Sequence, residues 1–343
     1  MSVQKLVLDY LISHQEQAIS GQALADKFSV SRNAIWKAIE TLRQKGYQID
    51  SQRNTGYQLT KLSHQIDSDQ IRQKIDSLWG DLHIEHHQAV TSTNDLAKQF
   101  NISNSGQNGL FIAERQTQGR GRRGRNFYSD LSDSLYFSLT IKPNVEKPQD
   151  VPRYTIAAAT AVVQAIKILT GKTVQIKWVN DLFYKGRKIS GILSEAVTDL
   201  ESGGFSAIVI GIGINLSGDF TVASQEVQDV AGTIFGETLP DSFNPNLFFT
   251  TFLNVFGQYH LNLLAPDFMS IYRDHLLGLN QEVTYLLNNE KRSGIIEGID
   301  QDGHLLVRQK DGQLETLLGQ EVHFSSKQFA QATDSQEVKH DED

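Results

Sequence analysis

The densest concentration of chemically useful side chains lies at 113–130, AERQTQGRGRRGRNFYSD. Gly119, Gly121 and Gly124 fall at the G-x-G-x-x-G spacing of a dinucleotide-binding turn, and Arg120, Arg122, Arg123 and Arg125 fill the gaps between and after them. Glycines let a backbone bend freely and approach a ligand closely, while arginines offer fork-shaped donors to carboxylate or phosphate. A loop with both is suited to closing over a small anionic ligand. A dinucleotide fingerprint needs its glycines to close a strand and open a helix, with an acidic residue about 20 positions later. Here they lead into the polar NFYSDLSDS and then into another strand, so that match is accidental in context. An arginine-rich nucleic-acid arm is the other alternative. Such arms are usually terminal or disordered, and this stretch lies between two strands.

Those strands are GLFIAERQ and SLYFSLTIK, and the elements around them must hold the loop in place. Residues 152–170 read as an amphipathic helix, followed by apparent strands TVQIKWV, LFYK, KISGILSEAV and FSAIVIGIGINL, with YKGRK as a hairpin turn; a further helix lies within NPNLFFTTFLNVFGQYHLNLL. Strands in succession joined by short turns do not make a βαβ series, so the expectation is an α+β domain with a mostly antiparallel sheet.

The first sixty residues have a different character. Apolar residues recur at helical spacing from Val3, Ser20 precedes a second helix, and Ser31 offers an N-cap to SRNAIWKAIETLRQKG. In that third helix Ala34, Ile35, Ala38, Ile39 and Leu42 form one stripe, leaving Arg32, Asn33, Trp36, Lys37 and Arg43 off it, and Gly46 ends it. The next segment, YQIDSQRNTGYQLT, reads as a hairpin around RNTG. Helix, short turn and basic-faced helix followed by a hairpin is the plan of a winged helix-turn-helix, with Ser31, Arg32, Asn33 and Lys37 facing DNA and Arg53 on the wing against phosphate. A small protein-interaction module is the alternative. Residues 1–62 carry eight Lys/Arg and five Asp/Glu, a net of +3 within a chain of −8. A basic head on an acidic body implies separate partners for the two parts.

With 343 residues, two or three domains are expected, after a linker near KLSHQIDSDQ. No cysteine is present, which excludes disulfides, thiolate zinc sites and cysteine nucleophiles. No long apolar run or signal-peptide pattern is found, so a cytoplasmic protein without a membrane partner is expected.

Four blocks occur in order: STN at 92–94, GRGRRGR at 119–125, KWVNDL at 177–182 with RKISGIL at 187–193, and GIGINL at 211–216. With the winged helix before them and the β-rich NQEVTYLL...QEVHFSS after them, the chain resembles the bifunctional biotin protein ligases that also repress the biotin operon. The resemblance implies a winged helix-turn-helix (1–62), a mixed-sheet ligase domain like class II aminoacyl-tRNA synthetases (63–276), a small SH3-like β-barrel (277–326) and a disordered tail (327–343). It implies ATP-dependent joining of biotin, through biotinyl-adenylate, to a lysine of a biotin carboxyl carrier protein. Biotin-gene repression at operator DNA would be carried out by a homodimer that biotinyl-adenylate promotes.

By the same resemblance, Ser92, Thr93, Asn94 and Gln116 belong to the biotin head-group pocket. Arg120, Gly121, Arg122 and Lys188 meet the carboxylate and phosphate, with Lys188 and Arg122 as the charge-stabilising pair. Lys177, Asn180, Asp181 and Asn215 serve the nucleotide, with Mg2+ arriving on ATP. Val179 stands where the family commonly has proline. The family's dimer and carrier are expected to share one sheet edge, near KISGILSEAV or FSAIVIG. A ligand-sensing regulator without ligase activity and a lipoate ligase on a related fold are the competing readings.

Overall fold

The structure, a computed structural model, describes residues 2–325 apart from 15–16, 53–54, 62–63, 132, 146, 199–203, 265–266, 289 and 320–321. It divides into two compact units, Met1–Asp67 with Pro240–Leu247, and Ser68–Leu239 with Phe248–Asp343. The expected wing residue Arg53 and the expected tail at 327–343 lie outside the described residues.

In the first unit, helices α1 (Val3–Ile12), α2 (Gly21–Phe28) and α3 (Arg32–Gln44) each begin behind a serine N-cap. Ser31 Oγ accepts the Ala34 N–H at 3.1 Å, a cap whose loss costs about 1 kcal/mol. Ile35, Ala38, Ile39 and Leu42 bury the inner stripe of α3 against Val7, Leu11 and Leu24, while Ala34 is only partly buried at the margin. Strands β1 (Gln48–Gln52) and β2 (Gly56–Lys61) then pair antiparallel as the wing. Gly56 is required there: its φ is 115°, and a Cβ would collide with the Ile19 carbonyl, which accepts the Tyr57 N–H at 2.8 Å.

In the second unit, α4 (Ser68–Lys74) leads to β3 (His83–Val90), α5 (Thr93–Ser103), β4 (Gly109–Gln116), β5 (Asp133–Ile141) and α6 (Pro152–Thr170). There follow β6 (Gln175–Lys177), β7 (Asp181–Tyr184), β8 (Arg187–Thr198), β9 (Phe205–Ser217) and α7 (Gln225–Val230), then α8 (Pro245–Leu261) and α9 (Phe268–Asp274). The seven strands are ordered β3-β4-β5-β9-β8-β7-β6; β3 and β4 run parallel across α5, and every other pair is antiparallel. This is the α+β arrangement expected from short turns between strands. Its core forms where α6, buried from Arg153 to Val163, contacts the sheet and where the α8 phenylalanines meet β5, with Phe137 and Phe249 edge to face at 5.1 Å.

Two expectations are corrected. The strand expected over TVQIKWV is only three residues long, Gln175–Lys177; beyond it the Val179 carbonyl accepts from Tyr272 Oη at 3.2 Å instead of joining the ladder, and Trp178 Nε1 donates to the Gly303 carbonyl at 2.9 Å. The Trp178–Val179 peptide is cis. FSAIVIG is not an edge, since β9 is paired to β5 and β8 on its two sides. In KISGILSEAV only the second half has an open side: β7 pairs with Arg187–Gly191, and among the described residues no strand pairs there with Leu193–Thr198.

The C-terminal part of this unit is a five-stranded antiparallel sheet, β10 (Glu282–Leu287), β11 (Glu290–Ile299), β12 (Leu305–Arg308), β13 (Leu314–Leu317) and β14 (Val322–Phe324), ordered β13-β12-β11-β10-β14. Val283, Tyr285 and Leu287 alternate inward along β10.

Candidate functional site

A cavity of about 680 Å3 opens over β8 and β9, within the range of small-molecule sites, and every ligase residue picked out in the sequence lines it. Three groups of side chains build it.

The first group is polar and buried. Ser92 precedes α5, and the helix start carries Thr93 and Asn94 inward; the three are 2–4% exposed. The Thr93 N–H donates to Gln116 Oε1 at 2.8 Å, and Gln116 Nε2 donates to Ser129 Oγ at 3.3 Å. Asn94 Oδ1 lies 2.6 Å from Ser138 Oγ, and its Nδ2 donates to Glu195 Oε2 at 2.7 Å. Gly211 faces this amide so closely that a Cβ would run into it. The alternating strand pattern explains the convergence, since Ser138 and Gly211 are register partners on β5 and β9.

The second group is charged. Lys177 and Asp181 are opposite each other on β6 and β7, and Lys188 Nζ meets Asp181 Oδ1 at 2.7 Å. Burial pushes the Lys177 ammonium down to about 8, against the pull of Asp181 and with further repulsion from Lys188 and Arg125. Burial would raise the Asp181 carboxyl, but Lys188 and Lys177 outweigh it and hold the pKa below the usual carboxylate range. Lys177 Nζ donates to the Phe324 carbonyl at 2.9 Å. Arg122 donates to Asn180 Oδ1 at 3.2 Å and to the Gly319 carbonyl at 2.8 Å. Neutral carbonyls thus engage two cations beside a single carboxylate.

The third group is the glycine-arginine loop. It is closed on itself by Gly121 N–H to Arg125 carbonyl at 2.7 Å and Phe127 N–H to Gly119 carbonyl at 2.9 Å. Its turn puts Arg123 at φ 58° and Gly124 at φ 71°, the left-handed region that explains a glycine at 124. Phe127 lies over Gly191 and Gly213, whose missing side chains make room for the ring. Arg120, half exposed, pairs with Asp95 Oδ2 at 2.9 Å, so it meets the start of α5 and not Lys188. Asn215 donates to the Gly232 carbonyl at 3.1 Å; its Oδ1, like Ser190 Oγ, is buried without a hydrogen-bond partner among the described residues. Orphaned buried polar atoms are expensive unless a ligand engages them.

Sequence reasoning missed Ser138, Glu195, Phe127 and the Gly319 and Phe324 carbonyls. Ser138 and Glu195 look like ordinary alternating polar residues of strands. The carbonyls carry no sequence signal at all. In the other unit, Ser31, Arg32, Asn33, Trp36 and Lys37 are exposed on α3, with Trp36 at 52%; Trp79 and Trp178 are buried.

Residues 87–215 match the biotin/lipoate A/B protein ligase family, residues 3–58 an HTH domain, and residues 278–326 the biotin protein ligase C-terminal domain. Fold and site therefore define a ligase of the biotin/lipoate type that carries a DNA-binding head. More particularly, the chain is similar over most of its length to ligases that are also repressors. It is 29% identical over 314 residues to the bifunctional ligase/repressor BirA of Bacillus subtilis, covering 91% of this chain and 95% of that one. It is likewise 29% identical to BirA of Escherichia coli, covering 90% and 93%. Among solved structures, the biotin protein ligase from Aquifex aeolicus in complex with biotin and ATP matches with TM-score 0.57 and 25% identity, covering 71% of this chain and 99% of that one.

Proposed function

We propose that this chain activates biotin with ATP and passes it to a lysine of a biotin carboxyl carrier protein, and that with biotinyl-adenylate bound it represses biotin genes at an operator. The reading is carried by one observation: a glycine-floored cavity joins a buried polar pocket to a cluster of Arg122, Lys177 and Lys188. The relatives whose names give a substrate are biotin ligases, which favours biotin over lipoate within the shared family.

In the first step a biotin carboxylate oxygen attacks the α-phosphorus of ATP, the bond to the bridging oxygen breaks, and pyrophosphate leaves. Negative charge gathers between carboxylate and phosphate, and positioned cations stabilise it. Lys188 and Arg122 serve there; Thr93, Asn94 and Gln116 hold the head group, with Ser92 beside them. Arg120 and Gly121 complete the closure of the loop. Lys177, Asn180, Asp181 and Asn215 serve the nucleotide, where the free Asn215 Oδ1 can accept a hydrogen bond from a base or sugar. Asp181 is paired to Lys188, so it does not by itself make a magnesium cage. Mg2+ would be brought by the ATP phosphates, whose charge it would partly neutralise.

In the second step the neutral carrier amine attacks the acyl carbon, the bond to adenylate breaks, and the amine loses its proton. When carrier is scarce, biotinyl-adenylate stays bound and favours a homodimer through the open side of β8 at Leu193–Thr198, placing two winged helices on a palindromic site. There Arg32, Asn33 and Lys37 face the groove and Ser31, although it caps α3, keeps a hydroxyl hydrogen for phosphate. The domain boundaries that fit this division of labour are 1–62, 63–276 and 277–326. No helix among the described residues is long and apolar enough to cross a membrane, and the proposed setting is the cytoplasm. The deciding experiment incubates the protein with ATP, magnesium, labelled biotin and a carrier domain. Label on the carrier lysine is expected; its absence would leave a sensor without ligase activity.

A further inference from the structure

We propose that Glu195 is a positioning residue for head-group recognition, acting through Asn94 to fix the hydrogen-bond polarity of the pocket; the inference rests on the reading of Asn94 and Thr93 as head-group residues. The two ends of an asparagine amide have nearly the same shape, and a half-turn exchanges donor for acceptor. Ser138 cannot choose between the two orientations, because a hydroxyl donates or accepts equally well. Glu195 can choose: an ionised carboxylate only accepts, and its Oε2 lies 2.7 Å from Asn94 Nδ2. Lys98 Nζ meets the other oxygen at 2.6 Å, so the carboxylate is held from both sides.

The choice propagates. With Asn94 Nδ2 committed to Glu195, Oδ1 faces Ser138 at 2.6 Å, and the single Ser138 hydroxyl hydrogen goes to it. Ser138 Oγ then has no hydrogen left for Thr93 Oγ1, 2.7 Å away, and accepts from it; the other acceptor within reach of that Thr93 hydroxyl, Gln116 Oε1, is more distant at 3.2 Å. Thr93 Oγ1 has therefore spent its hydrogen and presents lone pairs, as an acceptor suited to an N–H of the ureido ring. Its backbone N–H is already given to Gln116. One surface ion pair on β8 and α5 thus sets which partner the buried pocket can receive. Gly211, where a side chain would push Asn94 aside, makes room for the amide on β9.

The test uses full-length protein and measures biotin KM, ATP KM and kcat of adenylate formation by pyrophosphate release for Glu195→Ala, Glu195→Gln, Asn94→Ala and the double alanine variant. Glu195→Ala is expected to raise the biotin KM about tenfold while kcat and the ATP KM stay within about twofold. Glu195→Gln, which keeps an acceptor oxygen, should recover most of the loss. The double variant should be no worse than Asn94→Ala, as residues acting in series require. A normal biotin KM in Glu195→Ala with a raised one in Asn94→Ala would overturn the proposal alone, as would additive effects or a joint fall in kcat and affinity for both substrates. An unchanged biotin KM in Asn94→Ala would overturn the head-group reading and this proposal with it.

Discussion

Lys177 and Lys188 answer to the same carboxylate from different surroundings. Lys188 pairs directly with Asp181 and is 29% exposed, so it can exchange that partner for a ligand oxygen at little cost. Removing one preorganised donor from such a centre typically costs about 100- to 1000-fold in rate. Lys188→Ala is expected to lose about that much adenylate formation in a pyrophosphate-release assay; activity within a few-fold of wild type would refute its role. Lys177 is 7% exposed and depressed to about 8, below the 10.5 of a free lysine. Between those values the unfolded chain binds more protons than the folded one, so stability rises with pH as the buried charge is lost. Anion binding runs the opposite way, since only the ammonium attracts phosphate. Nucleotide affinity of the wild type is expected to weaken as pH rises through about 8, by up to about tenfold per unit, and Lys177→Gln should bind weakly with a flatter profile. Binding titrations from pH 7 to 9 read this directly.

At the scale of elements, the glycine-arginine loop spans from Gln116 at the end of β4 to the start of β5, and Arg122 reaches from it to Asn180 and to the Gly319 carbonyl. Arg122→Gly removes both attachments and is expected to speed release of biotinyl-adenylate by at least about tenfold in a chase experiment; an unchanged rate would contradict a closing role. Helix α3 carries an exposed indole among cationic neighbours, and if the helix enters a DNA groove the apolar ring can meet a base edge. Trp36→Ala should fold normally and lose discrimination between a duplex enriched from a random pool and bulk DNA, with non-specific affinity preserved. Competition gel shifts distinguish that from a uniform loss. These elements were legible because local signals mark them: serine caps, a 3.6-residue stripe, and a Lys185–Gly186 turn whose two positive φ values close the hairpin. The three-residue β6 was not legible, because the residues that follow it bond to Gly303 and Tyr272 in distant segments.

At the scale of the whole chain, a +3 head and an acidic remainder separate two electrostatic tasks. Operator binding should fall steeply with salt, because each neutralised phosphate releases counterions, whereas adenylate formation in an enclosed cavity should respond far less. The head has its own buried cluster around Val7, Leu24, Ile35 and Leu42. Deleting residues 1–62 is therefore expected to abolish operator binding in a gel shift and to leave adenylate formation within about tenfold, given the separate cores. Retained operator affinity would sink the winged-helix assignment.

The sequence by itself determined the winged head, the main strands and helices on either side of the glycine-arginine loop, and the residue types that line the cavity, since caps, periodicity and four ordered blocks are local properties of the chain. Only the tertiary structure decided which strand side stays open, that Arg120 meets Asp95, and that carbonyls of the C-terminal sheet engage Arg122 and Lys177. Backbone carbonyls are the same at every residue, and hydrogen-bond polarity depends on neighbours brought together by folding. Glu195 and Asn94 meet across 101 positions, and no local pattern encodes that meeting.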